Sequence, residues 1–168
     1  MAGGEGAAHR ATQEGLKVIT MADITISAPT EADYPRWREL FTGYAEFYHV
    51  ELTEERFAES WAWIHDANHP VECLLARDVD GTPIGLAHFS PDHSPLRGTR
   101  GFLHDLFVDP ARRGGGTVDA ILAELRRLGR ERGWYQIRWN TADDNYRARA
   151  VYDRNGEKTP FLLYAMPC

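Results

Sequence analysis

The stretch Arg113-Gly114-Gly115-Gly116-Thr117 constrains this chain more than any other, because it separates two segments of different period. Before it, residues 102–108 form a mostly apolar run of strand length. After it, Val118, Ile121, Leu122, Leu125 and Leu128 recur at helical spacing, and Gly133 suits the helix end. A strand that passes through glycines into a helix is a device for holding phosphate. Residues without a Cβ let the main chain approach an anion, and the first N–H groups of a helix have no internal partner and point at it. Arg113 adds a permanently charged, bidentate donor. Consecutive glycines can also be a plain connector, a reading that the flanking strand and helix weaken. Neither the Gly-Lys-Ser/Thr of a Walker A loop nor the spaced glycines of a dinucleotide fingerprint is present.

The remaining patterns predict the elements around this loop. Residues 24–28 alternate and begin with β-branched side chains, as in a short strand, and Pro29-Thr30 with Glu31 and Asp33 leads into a capped helix. Trp37, Leu40, Phe41, Tyr44, Phe47 and Tyr48 make one buried helical stripe. Thr53-Glu54-Glu55 opens a second helix carrying Phe57, Trp61 and Ile64, which Asn68-His69-Pro70 stops. Strands at 72–79 and 83–89 are joined by Asp80-Gly81, a hairpin signal, and residues 90–98 read as turns. A strand at 134–139, a short helix at 145–154 and a final strand at 161–166 follow. The expected fold class is a mixed α/β (α+β) domain, a mostly antiparallel central sheet flanked by helices in the order β-α-α-β-β-β-α-β-α-β. Residues 1–20, polar and rich in Gly and Ala, read as a flexible leader before a single domain at 21–168.

Composition excludes several classes. A chain of 168 residues suits one domain, and a net charge of -6 argues against nucleic-acid binding, which calls for a basic face. The two cysteines, Cys73 and Cys168, are far apart, so no metal site or disulfide framework is expected. No apolar run reaches the roughly 20 residues of a membrane span, and no secretory pattern opens the chain, so the expectation is a cytoplasmic protein without a membrane partner.

Val108-Asp109-Pro110 followed by Arg113-Gly114-Gly115-Gly116 and then Ile121-Leu122 resembles motif A of the GNAT superfamily of N-acetyltransferases. Asn145-Tyr146-Arg147-Ala148-Arg149-Ala150-Val151-Tyr152 resembles its motif B. With Trp139-Asn140-Thr141 before and Thr159-Pro160-Phe161 after, this segment is similar to the histone and polyamine acetyltransferase branch. The resemblance spans residues 21–166. It implies acetyl-CoA as the cofactor, with Arg113, Gly114, Gly115, Gly116, Thr117 and Val118 holding the coenzyme A pyrophosphate. Val118 stands where the family pattern has Gly or Ala. The resemblance also implies that backbone groups of Leu106, Phe107 and Val108 hold the pantetheine arm, and that Asn145 contacts the coenzyme, unless it simply caps its helix.

The chemistry gives further residues work. The leaving thiolate needs a proton, and a phenol of pKa about 10 can supply it at neutral pH, so Tyr152 is the candidate acid; its alternative is a packed core aromatic. An aliphatic amine, with a pKa of about 10.4, must lose a proton before attack. His104 and Asp105 are the candidate bases, with water in a chain as a further alternative. Simple alternation puts the two residues on opposite faces of their strand, so that only one can face the acceptor; the resemblance favours Asp105, while the ordinary pKa of histidine favours His104. Both can also be partnered polar residues of the sheet surface. Tyr44, Glu46 and Tyr48 lie where the family binds its acceptor, with Asn140 as a further candidate, although the two tyrosines also complete the buried helix stripe. The expected reaction is direct acetyl transfer to a small-molecule amine: a polyamine, an aminoglycoside-type antibiotic or an amino acid. A protein lysine or N-terminus is the alternative acceptor, and a non-catalytic acyl-CoA-binding module the alternative class. The resemblance leaves a homodimer open.

Overall fold

The computed structural model describes residues 19–21 and 23–168; the expected leader falls outside them except at its end, where Ile19 and Thr20 belong to a strand. Among the described residues six strands form one sheet in chain order: β1 (Ile19–Met21), β2 (Ile24–Ser27), β3 (Glu72–Arg77), β4 (Pro83–Ser94), β5 (Gly98–Val108) and β6 (Ile137–Arg138). Neighbours run antiparallel from β1 through β5, and β6 joins β5 in parallel. This is the mixed, mostly antiparallel sheet expected.

Helices cover both faces. On one face, Trp37 and Leu40 of α1 (Tyr34–Phe47) and Phe57 and Ile64 of α2 (Glu54–His65) pack on Leu75, Leu86 and Phe107. On the other, Ala120, Ile121, Leu122, Leu125 and Leu128 of α3 (Thr117–Glu131) pack on Ile26, Leu74, Ala87 and Leu103. The apolar stripes read from the sequence are the surfaces these helices bury, except at the end of the first: Phe47 closes α1, Tyr48 caps it, and both are exposed. Gly43 lets α1 approach the sheet closely, since a Cβ there would stand 2.8 Å from Phe107 Cζ.

Side-chain anchors fix the ends of these helices. Thr53 caps α2 by accepting from the Arg56 N–H at 3.2 Å. Ahead of α1, Asp33 accepts from the Thr30 N–H at 2.7 Å and binds Arg77 of β3 through two hydrogen bonds of 2.8 Å. At the far end, α4 (Tyr146–Asn155) is held on the start of α3: Asn155 Nδ2 donates to Asp119 at 2.7 Å and Arg154 pairs with Asp119 at 3.2 Å.

Three expectations change. Residues 90–98 are not turns throughout; β4 and β5 continue as a long hairpin, held by cross-strand pairs such as Asp92 with Arg100, 2.6 Å apart. The strand expected at 134–139 shrinks to Ile137–Arg138, because the Trp134 N–H is still closing the end of α3 on the Gly129 carbonyl at 2.8 Å. The strand expected at 161–166 does not form: β6 ends at Arg138 and offers no strand edge of useful length, so Phe161, Leu162, Leu163, Tyr164 and Met166 are exposed. Among the described residues no helix is long and apolar enough to cross a membrane.

Candidate active site

A β-bulge organises the site. His88 pairs with Asp105 and Phe89 with Leu103, so two residues of β4 face three of β5 and His104 is the extra one. The bulge reverses the facing of everything after it. Leu103 packs in the α3 cluster and Phe107 in the α1–α2 cluster, although residues four apart on a regular strand share a face. The expectation that His104 and Asp105 point to opposite faces is therefore overturned, and both line one cavity of about 300 Å³.

That cavity lies on the α1–α2 side of the sheet, walled by Phe41, Trp63, Ile64 and Val71. Asp105 is anchored from beneath. Its carboxylate oxygen lies 2.8 Å from His88 Nδ1, and His88 Nε2 lies 2.9 Å from the indole nitrogen of Trp37, which is fully buried. An indole N–H can only donate, so Nε2 is the acceptor and the His88 proton sits on Nδ1, directed at Asp105. His104 Nε2 lies 2.8 Å from the Ser90 hydroxyl, and burial lowers the pKa of its imidazole below the ordinary value, which favours the neutral, proton-accepting form.

A narrow cleft of about 20 Å³ adjoins this cavity through His104 and gathers Tyr44, Tyr48, Leu106, Asn140 and Tyr152. The Tyr152 ring packs against Trp139 with centroids 5.4 Å apart, and burial pushes its phenol up to about 12. The Tyr44 hydroxyl donates to the His104 carbonyl at 3.3 Å, and burial together with the Asp105 carboxylate raises its pKa. The cleft opens where β5 loses its neighbour. β6 pairs only with Gly101 and Phe102, so among the described residues the β5 edge beside Leu106, Phe107 and Val108 has no strand partner on that side.

The glycine loop leaves an open seat beyond that edge. Gly114 and Gly116 adopt positive φ of 93° and 80°, and a Cβ built on Gly114, Gly115 or Gly116 would meet nothing within 4 Å. The first α-helical bond runs from the Ala120 N–H to the Gly116 carbonyl at 3.0 Å, which leaves the preceding amides of the turn without intrahelical partners. The Thr117 hydroxyl is buried without a hydrogen-bond partner. Val118 is partly buried against the α3 cluster, so its side chain is committed to the protein interior. Arg113 donates to the Val108 carbonyl at 3.0 Å, with its guanidinium 5.5 Å from the Phe107 ring centroid. An open cradle of glycine backbone and free amides beside a guanidinium fits a diphosphate.

Residues 36–156 match the acetyltransferase (GNAT) family. The chain belongs to the GNAT acetyltransferase family. It is 28% identical over 148 residues to aminoglycoside N(6')-acetyltransferase type 1 of Stenotrophomonas maltophilia, a match covering 83% of this chain and 90% of that protein. Among solved structures, AAC(6')-Iy in complex with the bisubstrate analogue CoA-S-monomethyl-acetylneamine superposes with a TM-score of 0.73 at 22% identity, covering 88% of this chain and 100% of that one. Ribosomal-protein-alanine N-acetyltransferase of Brucella melitensis biovar Abortus 2308 gives 0.72 at 21% identity, covering 86% and 99%. The structural neighbours share the GNAT fold, and the family makes this chain an N-acetyltransferase.

Within this GNAT fold, two candidates stand apart from the cleft. Glu46 is exposed on α1 and lines neither cavity. Asn145 is the N-cap of α4, its side-chain oxygen accepting from the Ala148 N–H at 3.3 Å. Sequence reasoning missed His88, Trp37 and Ser90. His88 left a legible trace as the lone ionisable residue in the apolar run 83–89; nothing local marks Trp37 as the donor that orients it.

Proposed function

We propose that residues 21–168 act as one N-acetyltransferase domain that transfers the acetyl group of acetyl-CoA to the primary amine of a small cationic acceptor, by direct attack in a ternary complex. Acetyl-CoA supplies the activated acetyl thioester. The open glycine seat at Gly114, Gly115 and Gly116, the amides of Thr117 and Val118 and the Arg113 guanidinium bind its diphosphate, and the unpaired edge at Leu106, Phe107 and Val108 takes the pantetheine arm.

The observation that carries this reading is the bulge that turns both His104 and Asp105 into the cavity adjoining Tyr152. Asp105 attracts the ammonium of the acceptor and holds it at the sheet. His104, kept neutral by its burial, takes the proton and frees the nitrogen lone pair for attack. Tyr152, protonated throughout the physiological range, returns a proton to the departing sulfur. Tyr44, Tyr48 and Asn140 line the passage between these groups.

The relative named as an aminoglycoside N(6')-acetyltransferase supports a small polar amine, with a polyamine or an amino acid in the same class. The test is amine-dependent thiol release from acetyl-CoA across such a panel. Release with at least one small amine supports the proposal. Coenzyme A binding with no amine-dependent release would leave a non-catalytic binding module instead.

A further inference from the structure

The walls of the acceptor cavity narrow the acceptor's chemistry further, and this step rests on the reading that the cavity above His104 and Asp105 receives the amine. His88, His104 and Asp105 stand at its base, with Asp105 the one carboxylate among the lining residues, and the surface it presents is almost wholly apolar. Its walls are apolar: Phe41 from α1, Trp63 and Ile64 from α2, and Val71. The rim carries Arg56, whose guanidinium pairs with Glu59 at 2.6 Å and lies 5.8 Å from the Trp63 ring centroid.

This surface matches one kind of amine. A single inward carboxylate neutralises a single ammonium, whereas a second ammonium on the same acceptor would find no second carboxylate among the lining residues to offset its desolvation. A sugar ring placed there would bury hydroxyls that Phe41, Ile64 and Val71 cannot hydrogen-bond, and each unpaired hydroxyl weakens binding. Size agrees. At about 300 Å³ the cavity is at the small end of ligand sites, while an apolar cavity of about 150 Å³ suffices for a benzene ring. It holds one ring or branched aliphatic group with a short chain to the nitrogen, and a multi-ring aminoglycoside would keep its other rings outside it.

We infer that the acceptor is a primary monoamine carried on a short chain from an aromatic or branched aliphatic body, that Phe41, Trp63, Ile64 and Val71 bind that body, and that Asp105 receives its ammonium. Ser60 of α2 lines the same cavity and is buried, so a larger side chain there occupies the space meant for the body.

The experiment compares 2-phenylethylamine, spermidine and kanamycin as acceptors at saturating acetyl-CoA, and measures calorimetric binding of 2-phenylethylamine to the wild type, Ser60→Leu and Trp63→Ala. The expected result is a kcat/KM for 2-phenylethylamine at least about tenfold above the other two, with its binding weakened about tenfold or more in both variants. Thermal melts check that each variant folds, and Trp63→Ala, at a partly exposed position, keeps the test alive if Ser60→Leu does not. Preference for spermidine or kanamycin overturns the inference and leaves acetyl transfer to a small amine intact. Binding of 2-phenylethylamine that neither variant weakens also overturns it. Release with none of the amines, while coenzyme A still binds, removes both this inference and the reading beneath it.

Discussion

Asp105 and His88 meet across the β4–β5 ladder at 2.8 Å, and Trp37 fixes the direction of that hydrogen bond from the opposite side of the ring. The carboxylate that faces the cavity is thus oriented by a buried donor with a defined tautomer. His88→Ala is expected to lower kcat by about 10- to 100-fold through misplacement of Asp105, with acetyl-CoA affinity unchanged. Trp37→Phe is expected to destabilise the fold by about 1–3 kcal/mol, since it leaves a buried ring nitrogen unsatisfied. Steady-state kinetics with coenzyme A titrations separate these effects. A His88→Ala protein with wild-type kcat would show that the contact is structural only.

If His104 is the base, it should set the acid limb of the rate profile. Burial lowers its pKa, so the neutral form persists to a lower pH than for an ordinary histidine, and the expected loss of activity lies at a lower pH than an ordinary histidine would set. His104→Asn should reduce kcat by about 100-fold or more and abolish that limb. The pH dependence of kcat for both proteins is the check, and an unchanged limb in the variant assigns the proton elsewhere.

Tyr152, with its phenol at about 12, should remain protonated at every pH where the protein is assayed. Tyr152→Phe is expected to lower kcat by about 10²- to 10⁴-fold with little change in coenzyme A affinity. Rapid-quench measurement of a single turnover reads the chemical step directly. Wild-type turnover in the variant would return Tyr152 to the role of a packed aromatic beside Trp139.

Asp33 links pH to stability. Its two hydrogen bonds from Arg77 hold the carboxyl down at about 2, from an ordinary 3.8. A depressed acid stabilises the fold fully above its unfolded value and loses that contribution as the pH falls through the folded one. The wild type should therefore exceed Asp33→Asn by on the order of 1–2 kcal/mol at pH 7, after allowance for solvent screening, with the gap closing between about pH 4 and pH 2. Urea unfolding at several pH values measures this. A gap that widens on acidification would contradict it.

The parts of this protein that were legible in its sequence are those whose cause is local. Three glycines between a strand and an apolar helical stripe mark the loop and α3, and the aromatic stripe from Trp37 to Tyr44 marks the buried face of α1. The bulge at His104 was not legible, because no residue type demands it and its cause is the register between β4 and β5. That one extra residue decides which side chains share a cavity, so alternation alone placed His104 and Asp105 wrongly. The segment 161–166 failed for the opposite reason: its residues favour a strand, but a strand also needs an edge to pair with, and β6 is too short to supply one.

Gly115 offers the most direct test of the central claim that this loop seats the diphosphate of coenzyme A. Unlike Gly114 and Gly116 it has no positive φ, and a Cβ there meets no protein atom within 4 Å, so Gly115→Ala adds a methyl group to the open face of the loop without straining the fold. Calorimetric titration of coenzyme A into the wild type and Gly115→Ala, alongside thermal melts, is the measurement. The expected result is binding by the wild type and an affinity at least about tenfold weaker in the variant, equivalent to about 1.4 kcal/mol, with the melting temperature unchanged. Equal affinity in the two proteins, or no binding by the wild type at millimolar coenzyme A, would contradict the account.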